Sequence, residues 1–506
     1  MTDSRTKNTK RNVFVSFIFT FLSMAFQFVS RGVINYSLGE QYLGLSSLFT
    51  AVLQVLNMAE LGFAGSIVYN MYKPLAEGDT ETVCYLLAYY KKIYRTIGFI
   101  VLGSGAAVMP FVPNLIKGTY PSEINIYLLF GIYLVNTSIS YFLFAYKTSL
   151  LEAVQRMDLS KLAYTIVNII QYMLQVLALV MFKNYYLFVI FMVLGTAAKN
   201  IVAAVMANRY YPQYQCRGEI TSKLKGEIIT RVKGLLVCNI SAVAYSTVDS
   251  IILSALIGLS SVAIYGNYVT VMSGVSNFVA IIRHSMQASV GNSVASESVE
   301  KNYNDMLLWQ FLFSVIATWC VACMLSLYQP FMEMWMGKDL LLTMLDVVLI
   351  CMWFNVSVVQ HSFFLYLSGN GMWWDLRGPY IGSTVFNLTF NILLGKLFGI
   401  TGIIFSSLLS SVLFSFIWQC NIIFKVYFGR TPIQFYKRQI LYFIVSAVNA
   451  WIAFMLCSLI HFGGVLGLFA RVIICTVVSA VVIAAAYFRT DISKRAVAFA
   501  KKVIKA

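Results

Sequence analysis

Charge is what this chain has least of. Asp, Glu, Lys and Arg together supply 11% of its 506 residues, where a soluble domain carries about a quarter. Hydrophobic residues supply 59%, so the polar complement is too small to clothe a surface facing only water. Acidic side chains are the scarcer sign, 20 against 37 Lys and Arg, for a formal net charge of +17. Such an excess points to nucleic acid only when the cations gather on one soluble unit. Here they fall in short segments between apolar runs, the pattern of membrane topology, and nucleic acid is not an expected partner. Histidine is confined to His284, His361 and His461, dispersed along the chain with no H-E-x-x-H, and no P-loop supplies an ATP-driven engine. The nine cysteines are scattered, mostly inside apolar runs. Cys320 and Cys323 form a C-x-x-C, but no second pair or His cluster completes a zinc site. No metal, no cofactor and no catalytic residue is expected, and the chain is read as a non-enzyme.

What is present is a succession of apolar runs. A bilayer core of about 30 Å calls for around 20 apolar residues in a helix, and fourteen such runs occur, from 12–36 to 466–488. The first is longer than a signal-peptide core and lacks an A-x-A-like cleavage site, so it is read as a retained spanning helix. Only Phe398 and Gly399 separate the eleventh run from the twelfth. With the N-terminus placed in the cytoplasm and the spans alternating, 30 of the 37 Lys and Arg fall in cytoplasmic segments. Four (Lys117, Lys183, Lys338, Lys396) fall outside, and Arg31, Arg283 and Arg471 lie within spans. That asymmetry supports both the count and the orientation, because one missed helix would scramble it.

The expected fold is all-α and integral to the membrane: about fourteen transmembrane helices in two six-helix, pseudo-symmetric lobes plus a terminal pair. The divisions are an N-lobe at 1–207, a cytoplasmic linker at 208–233, a C-lobe at 234–427, a helix pair at 438–488 and a basic cytoplasmic tail at 489–506. The lobes carry a faint repeat: Gly39 and Gly258 are 219 residues apart, as are Leu75 and Val294. The tail mixes Ile492, Val497, Phe499, Val503 and Ile504 with Lys and Arg, which suits either an amphipathic helix on anionic lipid or a plain positive-inside anchor.

Ionisable groups deep in hydrocarbon cost about 2.5–3.5 kcal/mol each or more on insertion scales, so they meet a partner or a wet cavity. In the first run Ser23, Gln27, Arg31 and Asn35 recur every four residues; in the second Gln54, Asn57 and Glu60 recur every three. Glu60 lies near mid-span, with Arg31 the nearest candidate counter-charge in sequence. The second lobe offers Asn239, Ser246 and Asp249 on its first helix and Ser273, Ser276, Arg283, His284 and Gln287 on its second. Arg31, Gln27, Arg283, His284 and Gln287 are the candidates for an anionic substrate, and Glu60 and Asp249 for ion coupling or an ion pair. Snorkelling is the competing account of the arginines: Arg31 and Arg471 sit about five residues from a span end and Arg283 about eight. Asp346 and His361 are assigned to the membrane edges, and Gln171 and Gln175 to helix–helix hydrogen bonds.

Several motifs carry a resemblance. Tyr42-Leu43-Gly44-Leu45, Ala59-Glu60-Leu61-Gly62, the run from Tyr72 to Asp79, Tyr89-Tyr90-Lys91-Lys92-Ile93-Tyr94-Arg95, Tyr146-Lys147-x-Ser149-Leu150-Leu151 and Ala288-Ser289-Val290-Gly291-Asn292 are similar to those of the bacterial polysaccharide-export flippases of the multidrug/oligosaccharidyl-lipid/polysaccharide (MOP) superfamily. The resemblance implies two six-helix bundles with a V-shaped cleft, and alternating access in the cytoplasmic membrane. It implies as cargo an undecaprenyl-diphosphate-linked oligosaccharide (an O-antigen, capsule or other surface-polysaccharide repeat), with H+ or Na+ as coupling ion. The implied partners are that glycolipid, membrane lipid and polysaccharide assembly proteins. A drug or metabolite antiporter of the same superfamily is the alternative, and a membrane polysaccharide polymerase or ligase a third; short external connections weigh against the last.

Overall fold

A computed structural model describes residues 21–22, 24–60, 63–154 and 156–505. Most of the first apolar run, and Ser23 within its polar stripe, therefore lie outside the described residues. Those described are helical throughout their ordered elements, with no strand among them. The chain divides into two compact units, Met1–Ala263 and Ile264–Ala506.

In the first unit a helix at 24–38 (α1) precedes α2 (Glu40–Leu56), a short 3-10 turn (Asn57–Glu60) and α3 (Phe63–Glu77). Then come α4 (Thr80–Val108), α5 (Ile126–Phe142), α6 (Tyr146–Ala153), α7 (Met157–Phe182), α8 (Tyr185–Tyr210) and α9 (Ser222–Leu256). Asp79 caps α4 by accepting from the Thr82 amide at 3.0 Å and its hydroxyl at 2.5 Å, satisfying an orphan donor of the first turn. Those bonds, the hydroxyl's above all, hold the Asp79 carboxyl below the ordinary carboxylate range. α5 and α6 meet at a bend of 52°. α2 packs on α5 and α9, α4 on α3 and α5, and α8 on α5 and α7. Gln175 on α7 donates to the Phe188 carbonyl on α8 at 3.1 Å, the interhelical role expected of it.

The unit extends past the 208–233 link because α9 packs on α2 and α3. The α9–α10 turn is tied down at three points: Lys117 N–H donates to the Ser254 carbonyl at 2.9 Å, Ser260 Oγ to Glu40 Oε1 at 3.2 Å, and Gly44 lies against the Leu259 carbonyl. A Cβ on Gly44 would overlap that carbonyl oxygen, so α2 reaches this turn only with a residue lacking a side chain.

α10 (Leu259–Ser296) crosses into the second unit, which continues with α11 (Val299–Met336), α12 (Met344–Gly369), α13 (Arg377–Ser410), a π-helical stretch (Ser411–Trp418) and α14 (Gln419–Ile423). α15 (Ile433–Ser458), α16 (Gly464–Tyr487) and α17 (Asp491–Lys505) complete it. α11 is the hub, packed on α12, α15, α16 and α17. The eleventh and twelfth apolar runs run together as one long helical stretch, broken at Gly399 (φ 61°, ψ −134°), the boundary the sequence marks. Serines and asparagines fasten its two halves: Asn387 Nδ2 donates to Ser407 Oγ at 2.9 Å, and Ser383 and Ser410 hydroxyls meet at 2.9 Å. The tail forms a helix, α17, of whose apolar residues Ile492 and Ala496 are covered by protein while Val497 is exposed. Ile492 and Ala496 pack on Leu308, Phe311, Tyr442 and Tyr487; Phe499 meets Trp309 edge-on, and Arg495 pairs with Asp305 at 3.6 Å.

Outward faces are apolar. α16 turns Leu466, Phe469, Ile473 and Val481 outward, and α7 turns Ile166, Ile170, Met173, Leu177 and Met181 outward. Stripes of this extent would aggregate in water and are suited to lipid. Among the described residues nine helices are long and apolar enough to cross a bilayer, or ten counting the bent α5–α6 pair. Ten is four fewer than the fourteen expected: most of the first run lies outside the described residues, the second is broken at Asn57–Glu60, α10 carries many polar residues, and the eleventh and twelfth form one continuous stretch. The protein is a multi-pass membrane protein.

Gly103, by contrast with Gly44, has nothing within 4 Å of an added Cβ. Gly44→Ala is expected to lower the thermal midpoint of the detergent-solubilised protein by several degrees, and Gly103→Ala to leave it unchanged or slightly raised. Equal midpoints for the two variants would contradict the close approach.

Candidate functional site

Two polar centres stand out, one in each unit. The first is built by the break between α2 and α3. In a 3-10 turn residues i and i+3 eclipse, so Asn57 and Glu60 present their side chains on one side, where a single hydroxyl reaches both. Tyr141 on α5 does so, donating to Glu60 Oε2 at 2.7 Å and lying 3.2 Å from Asn57 Oδ1. Tyr94 on α4 donates to Glu60 Oε1, and Tyr90 one turn earlier donates to Tyr94 at 2.8 Å. The three tyrosines are buried and Glu60 half-buried. Each carboxylate oxygen thus accepts from a phenol, and no cation pairs with Glu60 among the described residues.

Arg31, the counter-charge suggested by sequence proximity, lies elsewhere. Its Nη1 approaches Ser47 Oγ at 3.5 Å, and Tyr185 is in electrostatic reach. Tyr185 in turn meets the Tyr133 hydroxyl at 2.9 Å, and Tyr133 donates to Ser46 at 3.1 Å. Arg31 is therefore the edge of a hydroxyl network spanning α2, α5 and α8 rather than half of an ion pair with Glu60. Gln27, one turn earlier, and Gln54, two turns before Glu60, are exposed and join neither cluster. Asp249 is buried on α9.

The second centre lies on α10 and α12. Arg283 Nη2 meets His284 Nε2 at 2.9 Å, and its guanidinium carbon sits 5.5 Å from the centroid of the Phe364 ring. Its Nε is buried with no hydrogen-bond partner, and no carboxylate pairs with it among the described residues. One turn along, Gln287 Nε2 donates to Ser368 Oγ at 2.7 Å. His361, assigned from sequence to a membrane edge, lies half-buried edge-on to Phe313 at 5.6 Å, within electrostatic reach of Arg283 and His284. Positions 361, 364 and 368 recur at helical spacing on α12, which is the signal that was available in the sequence. Asp346 and Arg471 serve helix ends. Asp346 forms a capping box with Thr343 at the start of α12, and Arg471 donates to the Ile460 carbonyl at 3.0 Å, closing the end of α15.

The sequence model of the family described as polysaccharide biosynthesis proteins matches residues 9–286. None of the curated proteins compared matches the sequence significantly. Solved structures do match in fold. The inward closed conformation of the lipid II flippase MurJ aligns with a TM-score of 0.66 at 14% identity, over 94% of this chain and 99% of its own. An inward-facing multidrug resistance MATE-family transporter of the MOP superfamily aligns at 0.62 and 12% identity, over 80% and 97%. The Vibrio cholerae MATE transporter VcmN aligns at 0.57 and 13% identity, over 84% and 98%. The resemblance drawn from Tyr42–Asp79 and the later motifs is thus upheld at the level of family and superfamily fold.

Tyr141→Phe and Glu60→Gln are expected to be non-additive in thermal stability, with a coupling of about 1 kcal/mol, the usual worth of a hydrogen bond. Additive effects in the double-mutant cycle would show that the phenol and the carboxylate do not act as a unit.

Proposed function

The chain belongs to the family of polysaccharide biosynthesis proteins, and from that premise we propose that it is a flippase. Its cargo in this reading is an undecaprenyl-diphosphate-linked oligosaccharide, the repeat unit of a surface polysaccharide, moved from the cytoplasmic to the outer leaflet of a bacterial cytoplasmic membrane by alternating access. The N- and C-termini lie in the cytoplasm in this reading, where 30 of the 37 Lys and Arg then fall.

Arg283 carries the proposal. A guanidinium held half out of water beside a histidine and a phenylalanine ring, with no carboxylate paired to it among the described residues, is costly to keep in hydrocarbon and attractive to a phosphate. A diphosphate brings negative charges whose attraction to a cation strengthens as the dielectric falls. Its oxygens also match the forked donors of arginine. His284 and Gln287 extend the same face of α10, and Arg31 is the candidate cation of the first unit. Glu60, ringed by phenols, is the candidate for coupling to H+ or Na+, with Asp249 the second acidic group. The fold shared with multidrug transporters supports a drug or metabolite antiporter as the rival reading. An antiporter for organic cations has no use for an unbalanced arginine.

In cells that need this protein for a surface glycan, Arg283→Ala and Arg31→Ala are each expected to cut export at least tenfold at normal protein levels, with lipid-linked intermediates accumulating. Arg283→Lys should keep part of the activity, since it retains the charge and loses the fork. Normal export by the alanine variants would remove the diphosphate reading. Glu60→Gln is expected to abolish the dependence of transport on pH or sodium; an unchanged dependence would reassign Glu60 to a structural role.

A further inference from the structure

Beside Tyr90 and Tyr94, α4 carries three cations on neighbouring turns for which the described residues supply no ion-pair partner. Lys91, Lys92 and Arg95 make no ion pair among the described residues. The acidic residues at the start of the same helix are engaged elsewhere: Asp79 caps the helix and Glu81 accepts from the Tyr85 hydroxyl at 3.3 Å. The three cations line an open cavity of about 360 Å³ together with Thr96, Phe99 and Cys216. Cys216 belongs to the segment between α8 and α9. That segment is itself anchored on this end of the unit: Lys147 Nζ donates to the Tyr214 carbonyl at 3.3 Å, and Cys84 Sγ accepts from the Gln215 amide at 3.3 Å. The cavity therefore has a fixed wall.

Its depth is legible from the helix. Between Arg95 and Leu115 no charged residue occurs; α4 covers that stretch to Val108 and a 3-10 helix (Met109–Leu115) completes it. Twenty uncharged residues, rising about 1.5 Å each in the α-helix and about 2 Å each in the 3-10 helix, span about 30 Å or slightly more, the thickness of a bilayer core. Arg95 thus marks the edge of the hydrocarbon, and Lys91 and Lys92 stand at headgroup level. On the hydrocarbon side Phe99 and Ile100 are 67% and 53% exposed, an apolar strip running directly on from the cations.

We propose that this cavity binds the phosphate headgroup of an anionic phospholipid from the adjoining leaflet, with an acyl chain lying along Phe99 and Ile100. Charge complementarity selects the occupant: three unbalanced cations at headgroup depth attract a lipid phosphate bearing net negative charge and have no preference for a zwitterionic one. The site is independent of the cargo, and it persists whatever the protein transports. By holding the wall formed around Cys216, a bound headgroup would join α4 to the segment that leads into α9.

The test uses the full chain in nanodiscs of phosphatidylcholine doped with phosphatidylglycerol, with retained lipid counted by native mass spectrometry. The wild type is expected to enrich phosphatidylglycerol, and Lys91→Gln/Lys92→Gln/Arg95→Gln to lose that enrichment by about tenfold or more. The charge-retaining variant Lys91→Arg/Lys92→Arg/Arg95→Lys should keep it, which separates loss of charge from loss of fold. A matched triple change at Lys425, Lys437 and Arg438 should leave it intact. The proposal is overturned if the glutamine variant enriches phosphatidylglycerol like the wild type, if the Lys425 set reduces it equally, or if the wild type shows no preference. It is equally overturned if added undecaprenyl diphosphate displaces phosphatidylglycerol from the wild type at equimolar amounts, since the occupant would then be a polyprenyl diphosphate.

Discussion

In hydrocarbon every polar group must find its partner inside the protein or in a wet cavity, and that requirement organises this molecule more than any apolar contact does. Lipid tails are as apolar as leucine, so burying Leu or Phe against another helix gains little from the hydrophobic effect. What distinguishes one helix face from another is where its few hydroxyls, amides and charges are satisfied. The Asn387–Ser407 and Ser383–Ser410 bonds hold a folded-back helical stretch, and Gln175 ties α7 to α8. Small residues act alongside them, Gly44 above all, by letting backbone meet backbone where a side chain would intervene.

The two centres solve the requirement differently, which is why they are read as having different work. Around Glu60 the protein supplies neutral donors, Tyr94 and Tyr141 with Tyr90 behind them. A carboxylate solvated by phenols can exchange a proton or admit a small cation without a fixed positive charge competing for it. Around Arg283 the described residues supply an imidazole and an aromatic face but no paired carboxylate. Among the described residues, an acidic group with no cation paired to it in one unit and a basic group with no carboxylate paired to it in the other are poor arrangements for stability alone. They suit a transporter that meets a coupling cation at one and an anionic cargo at the other.

How far the sequence led depended on the range of the interaction. Helices and the break at Gly399 are local matters of apolar length and backbone freedom, and they were legible. Glu60 and Arg283 were legible as anomalies, charges where charge is costly, but their partners were not. Tyr90 and Tyr94 sit inside the Tyr89–Arg95 motif with nothing local to single them out, and Tyr141 arrives from another helix. Arg31 looked like the counter-charge of Glu60 because both are ionisable and near in sequence; the 3-10 turn at Asn57–Glu60 directs the carboxylate to α4 and α5 instead. The neighbours of His361 were likewise hidden, because they are set by the packing of α12 near Arg283 and not by its place in an apolar run. The reach of the first unit past residue 233 has the same origin, since α9 is claimed by α2 through contacts that no local pattern announces.

The central claim is that the protein carries a polyprenyl-diphosphate-linked sugar from one leaflet to the other. Its most direct test is a purified system: vesicles of neutral lipid containing the protein and a fluorescent polyprenyl-diphosphate oligosaccharide confined to the inner leaflet, with an impermeant quencher outside. With the coupling gradient imposed, the account predicts a protein-dependent fall in fluorescence as the cargo emerges, absent when the label is carried by a neutral polyprenol. Quenching no faster than in protein-free vesicles, under proton and sodium gradients of either direction, would contradict it.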